Sequence, residues 1–172
     1  MLAPDLWVLV RPVRAGDDLL IQDLFVHMNR NDLRLRFFRP IKTITPDLMR
    51  HLTQFDRSRA MAFIAIDESG EHALGVVRLH GDASRENAEY AIAVRSDLKG
   101  HGLGRIMMQL IIEYAKSIGL RRMQGEILQE NDAMLTMCKE FGFEITINAN
   151  DQGIREATLT FGNAAPCSAN PA

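Results

Sequence analysis

Three glycines at alternate positions mark residues 99–105, a segment called the glycine loop below. The loop follows an apolar run that ends at Val94. It opens a stretch whose apolar spacing predicts a helix over residues 103–118. Glycines leave the backbone N–H groups of such a turn uncovered, at the positive end of the helix dipole. Uncovered N–H groups in that position suit a phosphate group, so the loop indicates a phosphorylated cofactor.

The glycine loop does not match two common nucleotide-binding patterns. Its spacing, G-x-G-x-G, differs from the dinucleotide-binding pattern G-x-G-x-x-G, although Glu126 lies about 20 residues further on, where a ribose-binding acid would stand. No Gly-Lys-Ser/Thr follows, which excludes a P-loop. A turn that only packs a helix against a sheet would have the same sequence pattern, so the residues of the loop alone leave packing and phosphate binding open.

Composition restricts the class of protein. Of the 172 residues, 47% are hydrophobic and 24% charged, which is typical of one globular domain with a sizeable core. A net charge of −2 gives no general attraction to nucleic acid, and no apolar run approaches the roughly 20 residues of a membrane span. The two cysteines, Cys138 and Cys167, make no disulfide framework. We therefore expect a cytoplasmic protein without nucleic-acid or membrane partners.

The hydrophobic pattern predicts an α/β fold with a mixed (α+β) sheet. Three strand-like runs joined by short turns precede the glycine loop and favour antiparallel pairing, whereas the helices and strands after it favour a helical crossover. The predicted strands cover residues 6–13, 61–66, 73–80, 87–94, 121–128, 143–147 and 153–161. The predicted helices cover residues 17–29, 32–38, 45–54, 103–118 and 131–141.

Local signals mark several boundaries. Asp17 is expected to cap the first helix, and Thr45-Pro46 has the residues of a helix start. Pro40 should stop the second helix. Residues 163–172 are small and polar with prolines, so we expect a disordered C-terminal tail after one domain over residues 1–162.

Two motifs resemble those of the GNAT family of N-acetyltransferases. Residues 99–104 resemble the family's motif A, Gln/Arg-x-x-Gly-x-Gly/Ala, with Lys99 where glutamine or arginine is usual. Asn131 begins a predicted helix that ends in Phe141-Gly142-Phe143, which is similar to the family's Asn-helix-Gly-Phe segment. The resemblance implies a largely antiparallel sheet of about seven strands flanked by helices, and acetyl-CoA as co-substrate.

Three further segments resemble the acetyltransferase region of bacterial protein lysine acetyltransferases. They cover residues 56–63, 88–91 and 94–100. This resemblance implies that the acceptor is a lysine side chain of a protein, for example an acyl-CoA synthetase. A small-molecule amine such as a polyamine or an amino-acid derivative is the alternative acceptor. A non-catalytic acetyl-CoA sensor is a third hypothesis, and a monomer and a homodimer both remain open.

The resemblance also implies a set of cofactor-binding residues. The diphosphate would lie on N–H groups of the glycine loop, where side chains at the three glycines would obstruct it, and Lys99 and Arg105 can add positive charge. The pantetheine arm would run beside the strand that ends at Val94. The full set is Ile92, Ala93, Val94, Lys99, Gly100, His101, Gly102, Leu103, Gly104, Arg105 and Asn131. For Asn131, capping of its own helix explains the residue equally well.

Glu89 is the candidate general base. It is a carboxylate within an otherwise apolar strand, and we expect partial burial to raise its pKa. The lysine acetyltransferases that the chain resembles use a glutamate at this position. A strand-edge charge that only faces water is the alternative. The developing oxyanion could be held by a backbone N–H near Ile92.

No other catalytic group is assigned. Many members of the family have a tyrosine where this chain has Cys138, and we expect that cysteine to be a small core residue rather than a general acid. The five histidines have no paired spacing, so no metal site is expected. Arg34, Arg36 and Arg39 form a basic cluster that could receive an acidic stretch of a partner, or could simply be a solvated helix face.

Overall fold

A computed structural model describes residues 6–38 and 43–162. Seven strands and five helices follow one another in the predicted order. The strands are β1 (Val8–Pro12), β2 (Ala60–Asp67), β3 (Ala73–Gly81), β4 (Asn87–Val94), β5 (Arg122–Leu128), β6 (Glu144–Ile147) and β7 (Ile154–Thr160). The helices are α1 (Asp18–Val26), α2 (Arg30–Phe37), α3 (Pro46–Thr53), α4 (Leu103–Ser117) and α5 (Asp132–Glu140). The predicted tail, Arg39, Pro40 and Cys167 lie outside the described residues.

The sheet has the strand order β1-β2-β3-β4-β5-β7-β6. Every neighbouring pair is antiparallel except β4 and β5, which are parallel and are joined by the α4 crossover. This arrangement confirms the mixed, largely antiparallel sheet that the sequence predicts. In the described part of the chain, no helix is long and apolar enough to cross a membrane.

Helices cover both faces of the sheet. Side chains alternate along β4, so Ile92 and Val94 pack in the core beneath α4 and α5, whereas Ala93 packs in the core beneath α1–α3. Both cores are dominated by aliphatic side chains, and Met107 and Met108 of α4 are among the fully buried ones. By the same alternation, Glu89 projects from the face that α1–α3 cover.

Two predictions near the first helices are wrong. The first helix ends at Val26 rather than near residue 29, because Asn29 adopts an extended backbone and its side chain accepts the N–H of Asp32 as the cap of α2. Asp17 does precede α1, but its side chain makes no capping hydrogen bond. Its carboxylate instead receives two hydrogen bonds from Arg11, at 2.7 and 2.8 Å, and one from the N–H of Arg14 at 2.7 Å.

β4 and β5 separate part-way along their length. Their ladder consists of three pairs, from Asn87 opposite Arg122 to Glu89 opposite Gln124. β4 then continues to Val94 and β5 to Leu128 without pairing with each other. The backbone groups on this side of β4 are therefore open to another hydrogen-bonding partner, at the end of the strand that leads into the glycine loop.

Candidate active site

The glycine loop bends through two left-handed residues before α4 begins. Gly100 has φ +82° and Gly102, the residue before the helix, has φ +88°. Side chains with a Cβ are strained in this region, so both positions favour glycine. Gly104 has no such constraint, and a Cβ there would be 3.7 Å from a methyl group of Val94. The first N–H groups of α4 have no acceptor within the helix and point out of its N-terminus.

A cleft of about 960 Å³ opens where β4 and β5 separate. This volume lies within the range of sites that hold a small ligand. The cleft is lined by most of the residues that the sequence singled out: Glu89, Ile92, Ala93, Val94, Lys99, Gly100, Gly102, Gly104, Arg105 and Asn131. His101 is exposed and the side chain of Leu103 is buried in the core, so neither side chain lines the cleft.

Lys99 is paired with a buried carboxylate of α2. Its Nζ lies 2.5 Å from Oδ1 of Asp32, whose other oxygen accepts the hydroxyl of Ser96 at 2.5 Å. The same hydroxyl oxygen accepts the N–H of Asn29 at 2.8 Å. This network attaches the N-terminus of α2 to the glycine loop.

Arg105 is also engaged by the protein. It forms an ion pair with Glu140 of α5, and its guanidinium lies 5.4 Å from the ring centre of Phe141. Near the other end of α5, Arg34 of α2 pairs at 2.8 Å with Glu130, which precedes that helix. α2 therefore has charged contacts with both the glycine loop and the start of α5.

Asn131 caps α5, since its side chain accepts the N–H of Met134 at 3.3 Å. Cys138 is fully buried, as expected, and its Sγ lies 3.1 Å from the hydroxyl of Tyr90. Burial raises the pKa of the Cys138 thiol. The ring of Tyr90 fills the space beside Gly125 on β5. Tyr90 thus lines the cleft, and Cys138 packs behind it in the core.

Glu89 is exposed, so the expected partial burial is wrong. It projects into the cleft from the last residue pair before β4 and β5 separate. A second carboxylate, Glu126 on β5, lines the same cleft. Partial desolvation, the charge of Glu89 and the charge of Glu156 raise the pKa of Glu126.

The sequence matches the family described as "Acetyltransferase (GNAT) family" over residues 26–143. The chain belongs to the GNAT family. Among its relatives, it is 30% identical over 138 residues to an acetyltransferase of Pseudomonas aeruginosa, covering 79% of this chain and 74% of that protein. It is 28% identical to the acetyltransferase Pat of Mycolicibacterium smegmatis, covering 79% of this chain but only 41% of that protein.

Further acetyltransferases extend the comparison. An L-methionine sulfoximine/L-methionine sulfone acetyltransferase of Pseudomonas paraeruginosa is 32% identical, over 58% of this chain and 62% of that protein. The solved GNAT domain of S. lividans PAT has the same fold, with a TM-score of 0.81 at 20% identity, covering 88% and 89% of the two chains. A spermidine N-acetyltransferase of Vibrio cholerae, solved with CoA and spermine, has a TM-score of 0.69 at 20% identity, covering 89% and 95% of the two chains.

GNAT enzymes use acetyl-CoA as co-substrate, and the residues of this chain fit it. The left-handed turn at Gly100 and Gly102 exposes the N-terminal N–H groups of α4 to a diphosphate. The unpaired edge of β4 offers hydrogen-bonding groups to the amides of the pantetheine arm. In the part of the chain that the structure describes, no cluster of three or more side chains suited to a metal ion is found.

Sequence reasoning missed Arg78, and the structure separates two members of the basic cluster of this GNAT protein. Arg34 faces Glu130, Arg36 lines the cleft, and Arg39 lies outside the described residues. Arg78 of β3 also lines the cleft. A charged residue in the apolar strand β3 was the available signal, but only the strand register shows that it lies on the same face as Glu89.

Proposed function

We propose that the protein transfers the acetyl group of acetyl-CoA to a primary amine, and that Glu89 accepts the proton of that amine. One observation carries this proposal: the exposed carboxylate of Glu89 stands in the cleft at the last β4–β5 pair, next to the unpaired edge of β4. An acyl group held along that edge would lie close to the carboxylate.

The chemistry requires a base in this position. A lysine-type ammonium has a pKa of ~10.4 and must lose a proton before its nitrogen can attack. Bound acetyl-CoA supplies an acetyl thioester, whose C–S bond breaks as the C–N bond to the amine forms. Glu89 is exposed, so it can take the proton directly or through a water molecule. A backbone N–H of β4 near Ile92 would stabilise negative charge on the acyl oxygen.

Direct attack by the amine is favoured over a covalent acyl-enzyme. Cys138 is the cysteine near the cleft among the described residues, but its side chain is fully buried and lies against the hydroxyl of Tyr90. Burial raises the pKa of its thiol, which disfavours the nucleophilic thiolate. The proposal therefore needs both substrates bound together.

Similarity supports two kinds of acceptor. The motifs that resemble bacterial protein lysine acetyltransferases, together with the similarity to the acetyltransferase Pat of Mycolicibacterium smegmatis, support a lysine side chain of a protein. The relative that acetylates L-methionine sulfoximine and the neighbour bound to spermine support a small amine. A cytoplasmic location remains a prediction.

The test is the Glu89→Gln variant, assayed by release of CoA from acetyl-CoA with a panel of lysine peptides, amino acids and polyamines. We expect kcat/KM at pH 7 to fall by about 10²–10⁴-fold, the usual contribution of a general base. The rate of the variant should recover as the pH rises and the amine loses its proton unaided. Calorimetry should show CoA affinity within about twofold of wild type.

Glu113→Gln, an exposed change on α4, is the matched control and should leave the activity unchanged. Glu126→Gln asks whether the second carboxylate is the base instead. A loss of activity with Glu126→Gln and none with Glu89→Gln would remove Glu89 from the mechanism. If acetyl-CoA binds but no amine releases CoA, the chain is a sensor and the proposal fails.

A further inference from the structure

Two arginines share the wall of the cleft that carries Glu89. Arg78 of β3 lies opposite Ala91 of β4, so it is on the same face as Glu89 and diagonal to it. Such diagonal positions are about 7–8 Å apart. Arg36 reaches the same wall from α2 and its guanidinium lies over the ring of Phe37, 4.7 Å from the ring centre. Two arginines and one glutamate therefore line the same cleft.

Neither arginine has an acidic partner in the described residues. Arg34 and Arg105 are both in ion pairs, but within residues 6–38 and 43–162 neither Arg36 nor Arg78 forms one. Residues 39–42, which follow α2, contain no Asp or Glu. Nε of Arg78 is buried without a hydrogen-bond partner among the described residues. Donors held in this way favour an anion from outside the chain.

The electrostatics of the wall point the same way. The pKa of Arg36 is lowered to about 10, mainly by burial and in part by the charge of Arg78, while the charge of Glu89 opposes both effects. Burial lowers the pKa of Arg78 as well, again opposed by Glu89. Two close positive charges that Glu89 only partly compensates would be stabilised by one additional negative charge.

We propose that the acceptor carries a carboxylate as well as its amine, and that Arg36 and Arg78 bind this carboxylate while the amine faces Glu89. The proposal rests on the proposed function and names its substrate class. The pattern of two cations beside one anion matches a zwitterion, in which the ammonium approaches Glu89 and the carboxylate approaches the guanidinium pair. A free amino acid has this chemistry, and so does a peptide lysine next to an acidic residue.

The test compares matched acceptors that differ only in the carboxylate. L-amino acids are assayed against their carboxamides, and lysine peptides with a flanking Glu against the same peptides with Gln. We expect kcat/KM to be at least tenfold higher for the carboxylate form in one of these two comparisons. The comparison that shows the preference tells whether the acceptor is a free amino acid or a peptide lysine next to an acidic residue. A carboxylate raises the pKa of a nearby ammonium, so the preference cannot come from an easier deprotonation.

The preference should depend on the two arginines. Arg36→Gln and Arg78→Gln should each reduce the carboxylate-to-carboxamide ratio towards one, mainly through KM. Arg78→Lys keeps the charge but loses the two-pronged geometry, so it should give an intermediate ratio. Because this change is conservative, an intermediate ratio would also show that the effect of Arg78→Gln is not a folding defect. Arg50→Gln is the control, because Arg50 is an exposed arginine on α3 that pairs with Asp47. It should keep the wild-type ratio.

A binding measurement separates this proposal from the proposed function. Calorimetry on the CoA complex should show that the N-acetylated acid binds at least tenfold more tightly than its N-acetylated amide, and that Arg36→Gln abolishes the difference. This result would support the carboxylate site even if no acetyl transfer occurred. Equal use and equal binding of acid and amide, or a ratio that the arginine variants do not change, would overturn the proposal.

Discussion

Nζ of Lys99 and Oδ1 of Asp32 form an ion pair that joins the glycine loop to α2. Asp32 is buried, with 7% of its side chain exposed, whereas 47% of the Lys99 side chain is exposed. The pair therefore attaches α2, the helix that also carries Arg36, to the glycine loop through a carboxylate that is itself buried. The resemblance to motif A implies a role for Lys99 at the cofactor, and in this structure its charge is paired with a carboxylate of α2.

Asp32→Asn should release α2 from the glycine loop. We expect the free energy of unfolding to fall by about 1 kcal/mol, because the change removes the charge and leaves the half-exposed lysine to water. Urea denaturation measures the change, and hydrogen exchange should become faster in α2. Glu113→Gln, which breaks an exposed pair with Lys116, should change the stability by less than about 0.5 kcal/mol. Unchanged stability and unchanged hydrogen exchange in Asp32→Asn would contradict the conclusion that this ion pair holds α2 to the glycine loop.

Gly102→Ala and Gly104→Ala should differ sharply in stability. Alanine at 102 must adopt a φ of +88°, which costs about 1–2 kcal/mol. Alanine at 104 meets only a Val94 methyl group at 3.7 Å, an ordinary contact. The free energy of unfolding of Gly104→Ala should therefore lie within about 0.5 kcal/mol of the wild-type value, which urea titrations can measure. Equal destabilisation by both changes would mean that crowding, rather than backbone conformation, selects glycine at position 102.

Gly125→Ala should destabilise the protein through Tyr90. A Cβ at position 125 would lie 2.6 Å from the tyrosine ring, which is also packed at 5.4 Å from the ring of Phe143. Overpacking of this kind costs about 1–3 kcal/mol. In a Tyr90→Leu background the same change should cost much less, so a double-mutant cycle should give a coupling energy of at least about 1 kcal/mol. Additive effects would show that the ring and the glycine are not in contact.

The contribution of Asp17 to stability should vary with pH. Hydrogen bonds from Arg11 hold the pKa of Asp17 below its usual value of 3.8. The folded protein therefore favours the ionised form, and the stabilisation is present above pH 3.8 and lost as the pH falls through the lowered pKa. Asp17→Asn should cost about 1–3 kcal/mol at pH 7, from the lost charged hydrogen bonds. Urea titrations should show that the free energies of unfolding of Asp17→Asn and wild type differ less at pH 3 than at pH 7. A difference that does not change with pH would contradict an ionised Asp17 paired with Arg11.

Much of the fold followed from local sequence signals. The helix α3 begins where Thr45 and Pro46 predict it, with the Thr45 side chain accepting the N–H of Leu48 at 3.2 Å. The strands of the antiparallel half lie within one or two residues of their predicted bounds. Caps, turns and hydrophobic alternation act over a few residues, so they can be read without the rest of the chain.

The environment of individual side chains was harder to predict from the sequence. Asp17 has the residue type and position of a helix cap, yet Arg11 on β1 captures its carboxylate. Glu89 stands in an apolar strand and was expected to be partly buried, yet the opening between β4 and β5 leaves it exposed. Both outcomes depend on residues that are distant in sequence or on a gap between strands.

By itself, the sequence determined the order of the elements, the glycine loop and the family, because these depend on short-range spacing and on motifs. Only the tertiary structure decided which charges face the cleft. Arg34 and Arg36 are two residues apart on one helix, but one pairs with Glu130 and the other lines the cleft beside Arg78. Strand register and helix docking bring these groups together, and both depend on contacts between residues far apart along the chain.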